Sequence, residues 1–212
     1  MEQLLSAATG TFLALFPITD PLGAVPIFHS LTVDSSPHHR GRQARQVAVN
    51  VIVVLTVALV VGRFVLDFFG ISLGVLQIAG GLLLARTAWT MLSASESPSQ
   101  SNTRQEVLPE DVTLIPLAIP LISGPGAIGM VIGLAAKRPH IAGYVGALLG
   151  ILGLGVLLYL CLTLGAPIVR RMGRSGLRAF TQVLGFLILA ISIQLTSEGV
   201  FSLVSDFSTT LT

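Results

Sequence analysis

The chain has 212 residues, 52% of them hydrophobic and 10% charged, with a mean hydropathy of +0.85. Soluble domains carry about 25% charged residues, so this composition excludes one and makes the chain an integral membrane protein. The net charge of +2 comes from few ionisable groups confined to loops, and no basic stripe with interleaved aromatics occurs. That pattern excludes nucleic acid as a partner and leaves the lipid bilayer.

The N-terminus, Met1-Glu2-Gln3, lacks the positive region of a signal peptide and is expected to stay in the mature protein. A helix needs about 20 apolar residues to cross a bilayer. Stretches of that kind lie near 4–32, 46–66, 71–92, 112–136, 141–169 and 177–198. The first is longer than a straight crossing requires. It also holds Phe16-Pro-Ile-Thr-Asp-Pro-Leu-Gly-Ala-Val-Pro-Ile-Phe28, with three prolines, a glycine and a carboxylate. Proline removes a backbone donor and clashes with the preceding turn, so this span is expected to be discontinuous or re-entrant.

Arg63 and Asp67, four apart at the end of the second span, read as a local pair on one helix face. Arg86 and Trp89 fall in the last turns of the third, where an arginine can snorkel and a tryptophan joins the interfacial belt. Residues 93–111, rich in Ser, Gln and acidic groups with Pro98 and Pro109, read as a solvated linker between a first unit (1–92) and a second (112–212).

The two units resemble each other. Gln77-Ile-Ala-Gly-Gly-Leu-Leu-Leu-Ala85 matches Gln182-Val-Leu-Gly-Phe-Leu-Ile-Leu-Ala190 at five of nine positions, 105 residues on. Asp20-Pro21-Leu22-Gly23-Ala24 resembles Gly124-Pro125-Gly126-Ala127, with the prolines 104 apart. A unit of three crossings starts its second copy on the opposite face, so the repeat must be inverted. The expected fold is thus all-α, with six transmembrane helices in two inverted-topology three-helix repeats, broken in helices 1 and 4. The loops after spans one, three and five carry Arg40, Arg42, Arg45, Arg104, Arg170, Arg171, Arg174 and Arg178. The positive-inside rule then puts both termini outside the cytoplasm.

Asp20 before Pro21 is the pairing of an N-cap with a first helical residue, and Ser123 and Gly124 before Pro125 follow the same logic. Two half-helix N-termini are expected to meet near the bilayer midplane, where their unpaired N–H groups and dipoles favour an anion such as a carboxylate. Gly23, Gly124 and Gly126 allow close approach and leave room only for a small zwitterionic substrate. Asp20 has three readings: a cap, an H⁺ or Na⁺ coupling group, or a water-exposed loop residue. Gln77 and Gln182 either hydrogen-bond a substrate or join helices. Asn50, Thr87, Ser192 and Gln194 add further polar groups inside the spans.

Gly129-xxx-Gly133 and Gly146-xxx-Gly150 read as helix-packing faces, which also leaves a homo-oligomer open. Cys161 falls in an apolar run, as a packing residue. No HExxH, P-loop or GxSxG motif occurs, and His29, His38, His39 and His140 read as solvated or interfacial, so neither enzyme, metal site nor cofactor is expected.

Three stretches together, 16–28, Pro116-Leu-Ala-Ile-Pro-Leu-Ile-Ser-Gly-Pro-Gly-Ala-Ile128 and Phe69-Gly-Ile-Ser72 leading into Gln77-Ile-Ala-Gly-Gly81, resemble the MarC family over nearly the whole chain. The resemblance implies a six-span protein of the prokaryotic inner membrane, distantly akin to LysE-type exporters. Some members are described as transporters of small neutral amino acids such as glycine and alanine. Carried over by motif, the functional positions are Asp20, Pro21, Gly23, Gly124, Pro125 and Gly126. Family members often have Asn where Asp20 stands, which bears on the substrate charge. The expected function is a secondary transporter, and the alternative is a membrane scaffold whose glycine faces bind partner helices.

Overall fold

In the computed structural model, residues 1–33, 36–93, 124–137 and 140–210 are described, and every regular element among them is a helix. In chain order these are α1 (Glu2–Thr19), α2 (Ala24–Leu31), α3 (Pro37–Phe69), α4 (Leu73–Ser93), α5 (Pro125–Lys137) and α6 (Ile141–Thr210). The last is two helices joined at Gly173, with arms Ile141–Gly173 and Ser175–Ser205. Four helices are long and apolar enough to cross a membrane: α3, α4 and the two arms of α6. The pair α1 and α2, bent by 57°, makes a fifth if taken as one span. The expected linker from residue 94 onward, the first half of the expected fourth span and Ser123 lie outside the described residues.

The breaks follow local chemistry. α1 ends at Asp20, whose φ of 37° and ψ of 66° are left-handed, a conformation that Asp tolerates better than most residues. Pro26 falls in the first turn of α2, where its missing N–H costs no helical bond. α3 starts at Ser36, whose Oγ accepts from His39 N at 3.3 Å, with Pro37 in its first turn. It stops at left-handed Gly70, whose N–H reaches Asp67 and Leu66 carbonyls. At Gly173, φ 65° and ψ −178° lie in a region open essentially to glycine alone.

Two expected loops are therefore helical. Arg40, Arg42 and Arg45 belong to the first turns of α3, and Arg170 and Arg171 continue the first arm of α6. Hydropathy marks where a helix leaves the lipid, whereas arginine is a good helix former and lets it run on. Arg40 also ties two elements: its Nη2 donates to the Thr32 carbonyl at 2.9 Å, at the C-terminal end of α2.

Burial shows what sits at the centre. In the most apolar window of the first arm of α6, 44% of residues are buried, against 22% in α3 and 28% in α4. The first arm is the post around which α1, α2, α3 and α5 gather, with Leu154, Leu158 and Leu162 fully enclosed beside Leu15, Phe28 and Leu55. The outward faces carry large apolar groups such as Phe64, Phe68, Phe186 and Phe201, exposed by 65% or more, as a lipid-facing surface requires.

Glycines set the closest approaches. A Cβ at Gly146 would sit 2.6 Å from the Leu4 carbonyl oxygen, and one at Gly150 2.6 Å from that of Ala8, so this pair receives α1. Gly74 and Gly199 face each other in the same way between α4 and the second arm, as Gly81 faces Ser192 and Thr196, and Gly185 faces Ala88 and Met91. α4 and the second arm thus run antiparallel in close contact. Of the other expected pair, Gly129 meets Gly80 of α4, but a Cβ at Gly133 would have none of the described residues within 4 Å, and that position opens on a cleft.

Candidate functional site

The site is built on the bend between α1 and α2. Asp20 Oδ1 accepts the Gly23 N–H at 3.0 Å, and the Asp20 carbonyl accepts the Ala24 N–H at 3.1 Å. The carboxylate therefore caps the turn Pro21–Gly23, and regular helix begins at Ala24, three residues later than Pro21 suggested. The delay follows from Asp20 itself, which also ends α1 in the left-handed region. Gly23 has no room for a side chain, because a Cβ there would lie 2.0 Å from Asp20 Oδ2.

α5 starts in a related way at Pro125, with Ala127 and Ile128 N–H groups reaching the Gly124 carbonyl at 2.9 and 3.2 Å. Gly126 backs onto α4, since a Cβ would meet Leu84 Cδ2 at 2.4 Å. Ala24 and Ala127, one at each helix start, are buried in a single core cluster, so the two starts converge on the same interior.

Beside the bend lies a hollow of about 350 Å³, lined by Thr19, Asp20 and Gly23, by Thr87 and Thr90 of α4, and by Thr181 of the second arm of α6. That is the small end of the range for ligand pockets, about 300–1,000 Å³. Its polar lining is rich in acceptors. Thr87 Oγ1 donates to the Leu83 carbonyl at 3.1 Å, Thr90 Oγ1 to that of Thr87 at 2.7 Å and Thr19 Oγ1 to that of Phe16 at 3.2 Å. A hydroxyl whose proton is committed has only lone pairs left to offer. With Asp20 Oδ2 beside them, these oxygens suit an ammonium or a metal cation better than a carboxylate. The anion site expected at this helix start is filled by the chain's own carboxylate.

The sequence-predicted residues are only partly brought together. Asp20 and Gly23 line the hollow with Pro21 buried behind them, whereas Gly124, Gly126, Gln77 and Gln182 are not among its described lining residues. The two glutamines differ: Gln77 is 3% exposed inside the bundle, while Gln182 is half-buried. Ser192 bonds within its own helix, to the Leu189 carbonyl at 2.7 Å. Arg63 and Asp67 form the local pair at 4.0 Å, and Arg86 and Trp89 face outward.

Thr19, Thr90 and Thr181 are lining residues that sequence reasoning missed. A threonine near the end of a span is ordinary there, and the sequence signal was the spacing Thr87-x-x-Thr90, which places both on one helix face.

This framework of a bent first span and a short helix opening on Gly-Pro-Gly-Ala coincides with a family match. The profile of the MarC family integral membrane proteins matches residues 5–204. The chain belongs to the MarC family. It is 36% identical over 201 residues to a UPF0056 membrane protein of Pyrococcus abyssi, covering 94% of this chain and 97% of that one. A UPF0056 membrane protein of Methanocaldococcus jannaschii is 35% identical, with 93% and 88% covered. The UPF0056 inner membrane protein MarC of Salmonella typhimurium is 30% identical over 220 residues, with 98% and 100% covered. No solved structure matches. This MarC family member is thus a multi-pass integral membrane protein, and its relatives' names state no substrate.

Proposed function

We propose that this MarC family protein is a secondary transporter of small neutral amino acids of the glycine and alanine kind, working by alternating access in the prokaryotic inner membrane. The observation that carries the reading is the hollow at the α1–α2 bend, where a carboxylate and committed threonine hydroxyls surround a space for a small solute. The substrate ammonium takes Asp20 Oδ2 and the threonine oxygens. Its carboxylate turns toward the Thr181 hydroxyl, on the second arm of α6. Asp20 is also the group that couples movement to H⁺ or Na⁺, since protonating it or placing a cation beside it removes its hold on the ammonium.

An inverted repeat of six spans supplies the moving parts. In this reading α1–α2, α3 and α4 form one unit. α5 and the two arms of α6 belong to the other. Gly165 receives Val25 of α2 and Gly62 receives Ile132 of α5, so partner positions are displaced by 107 and 103, either side of the repeat offset of 105. The antiparallel contact of α4 with the second arm is the pairing that an in-plane two-fold axis produces. The arginines after α2, after α4 and around Gly173 support, by the positive-inside rule, a cytoplasmic face there and both termini on the other side. Three of the four glycines expected to offer a scaffold face, Gly129, Gly146 and Gly150, are occupied within the chain, which favours transport over scaffolding.

Uptake into proteoliposomes tests the reading. Purified protein is expected to give saturable, mutually competed uptake of labelled glycine, alanine and serine under an H⁺ or Na⁺ gradient. No saturable uptake under any gradient overturns it.

A further inference from the structure

A second hollow, of about 250 Å³, lies between α5 and the second arm of α6. Its floor is apolar, from Met130, Leu134, Ile191 and Leu195, and its rim carries Lys137, Gln194 and Glu198. Lys137 Nζ contacts Glu198 Oε2, and Gln194 Nε2 donates to Glu198 Oε1 at 2.8 Å. Lys137 ends α5, where the helix dipole favours a cation. Both charges are partly exposed, with 46% and 29% of their side chains accessible.

An ion pair on the rim of an apolar hollow has the chemistry of a zwitterion with an apolar side chain, turned inside out. We propose that this cleft is a second binding site, for an apolar α-amino acid whose carboxylate takes Lys137, whose ammonium takes Glu198 and whose side chain fills the floor. The ligand inserts between two charges that already face each other, and in the complex each is paired again. Part-exposed pairs of this kind contribute little to stability, so opening one costs little. The open face of Gly133 leaves the floor free for a branched chain. A part for this site in transport rests on the reading above, while its chemistry rests on the ion pair and floor alone. A phosphatidylethanolamine headgroup carries the same ammonium and anion, and the test separates the two sources.

The test uses the full chain with Cys161→Ser and Ala190→Cys, which places one thiol in the cleft. In phosphatidylcholine nanodiscs, leucine is expected to slow maleimide labelling of that thiol at least about tenfold. 4-Methylpentanoate and isoamylamine, with one charge each, do not slow it. Adding Lys137→Gln or Glu198→Gln removes the protection. Exchanging the charges, Lys137→Glu with Glu198→Lys, keeps it, which separates ligand binding from loss of fold. Slow labelling without leucine in phosphatidylethanolamine nanodiscs, abolished by the single charge variants, identifies the headgroup as the occupant and supports the zwitterion site equally. No leucine protection in phosphatidylcholine, or protection that survives both single charge variants, overturns the proposal. Uptake measured on the same variants separates the readings: cleft protection without uptake leaves the second site standing and fells transport, and uptake without protection does the reverse.

Discussion

The two hollows have similar volumes, about 350 and 250 Å³, yet the chain builds them by opposite means. At Asp20 the backbone is broken, and the polarity comes from one carboxylate and several hydroxyls that have already committed their protons. At Lys137 the flanking helices are intact, and the polarity comes from two opposite charges that satisfy each other across 61 residues of sequence. A broken helix offers a fixed, one-sided set of acceptors. A rim ion pair offers both signs but must part to do so. The first therefore suits discrimination, and the second suits first capture.

Removing the charge at the bend should separate them most. Asp20→Asn forfeits a charge-assisted bond, and glycine or alanine uptake is expected to show KM raised about 10–100-fold. Leucine protection of the cleft thiol should persist, and its loss together with uptake would show that the hollows are one system. Gly23→Ala comes next. Its Cβ must displace Asp20 Oδ2, so uptake is expected to fall about tenfold, one lost hydrogen bond to a charged group. Gly41→Ala in α3, with none of the described residues within 4 Å of the added Cβ, serves as the control. Uptake should hold, while thermal unfolding reports a gain of about 0.5–1 kcal/mol from helix propensity.

Thr90→Val removes one lone-pair acceptor but no charge, and uptake is expected to fall about two- to tenfold, with Thr90→Ser restoring it. The smallest effect concerns stability. Lys137→Gln opens a part-exposed pair and should change the unfolding free energy by no more than about 1 kcal/mol. A larger loss in a detergent melt would make the ion pair a structural clamp.

The bend was legible because proline and glycine act on the backbone locally, so Pro17, Pro21, Gly23 and Pro26 announce it from sequence alone. Where α2 begins was not, because the left-handed conformation of Asp20 shifts the regular helix to Ala24. Of the six expected crossings, hydropathy matches the four long helices and the bent pair α1–α2, but it read Arg40–Arg45 and Arg170–Arg171 as loops, since it measures lipid contact and helices continue beyond it. The ion pair left no trace in spacing, because Lys137 and Glu198 stand 61 residues apart, each at the edge of an apolar stretch. The threonines around Asp20 come from α1, α4 and α6, and only the packing of glycine-lined helices brings them to one hollow.

Gly173 has a further consequence. The first arm of α6 is held by α1, α2, α3 and α5, the second by α4 and α5, and among the described residues nothing lies within 4 Å of the position where a Gly173 Cβ would stand. Among the described residues, the covalent link there carries shape and no side-chain contact. A gene cut at this codon should yield two polypeptides that find each other in the membrane, because each already contains the partners of its own arm or the surface that the other fragment needs.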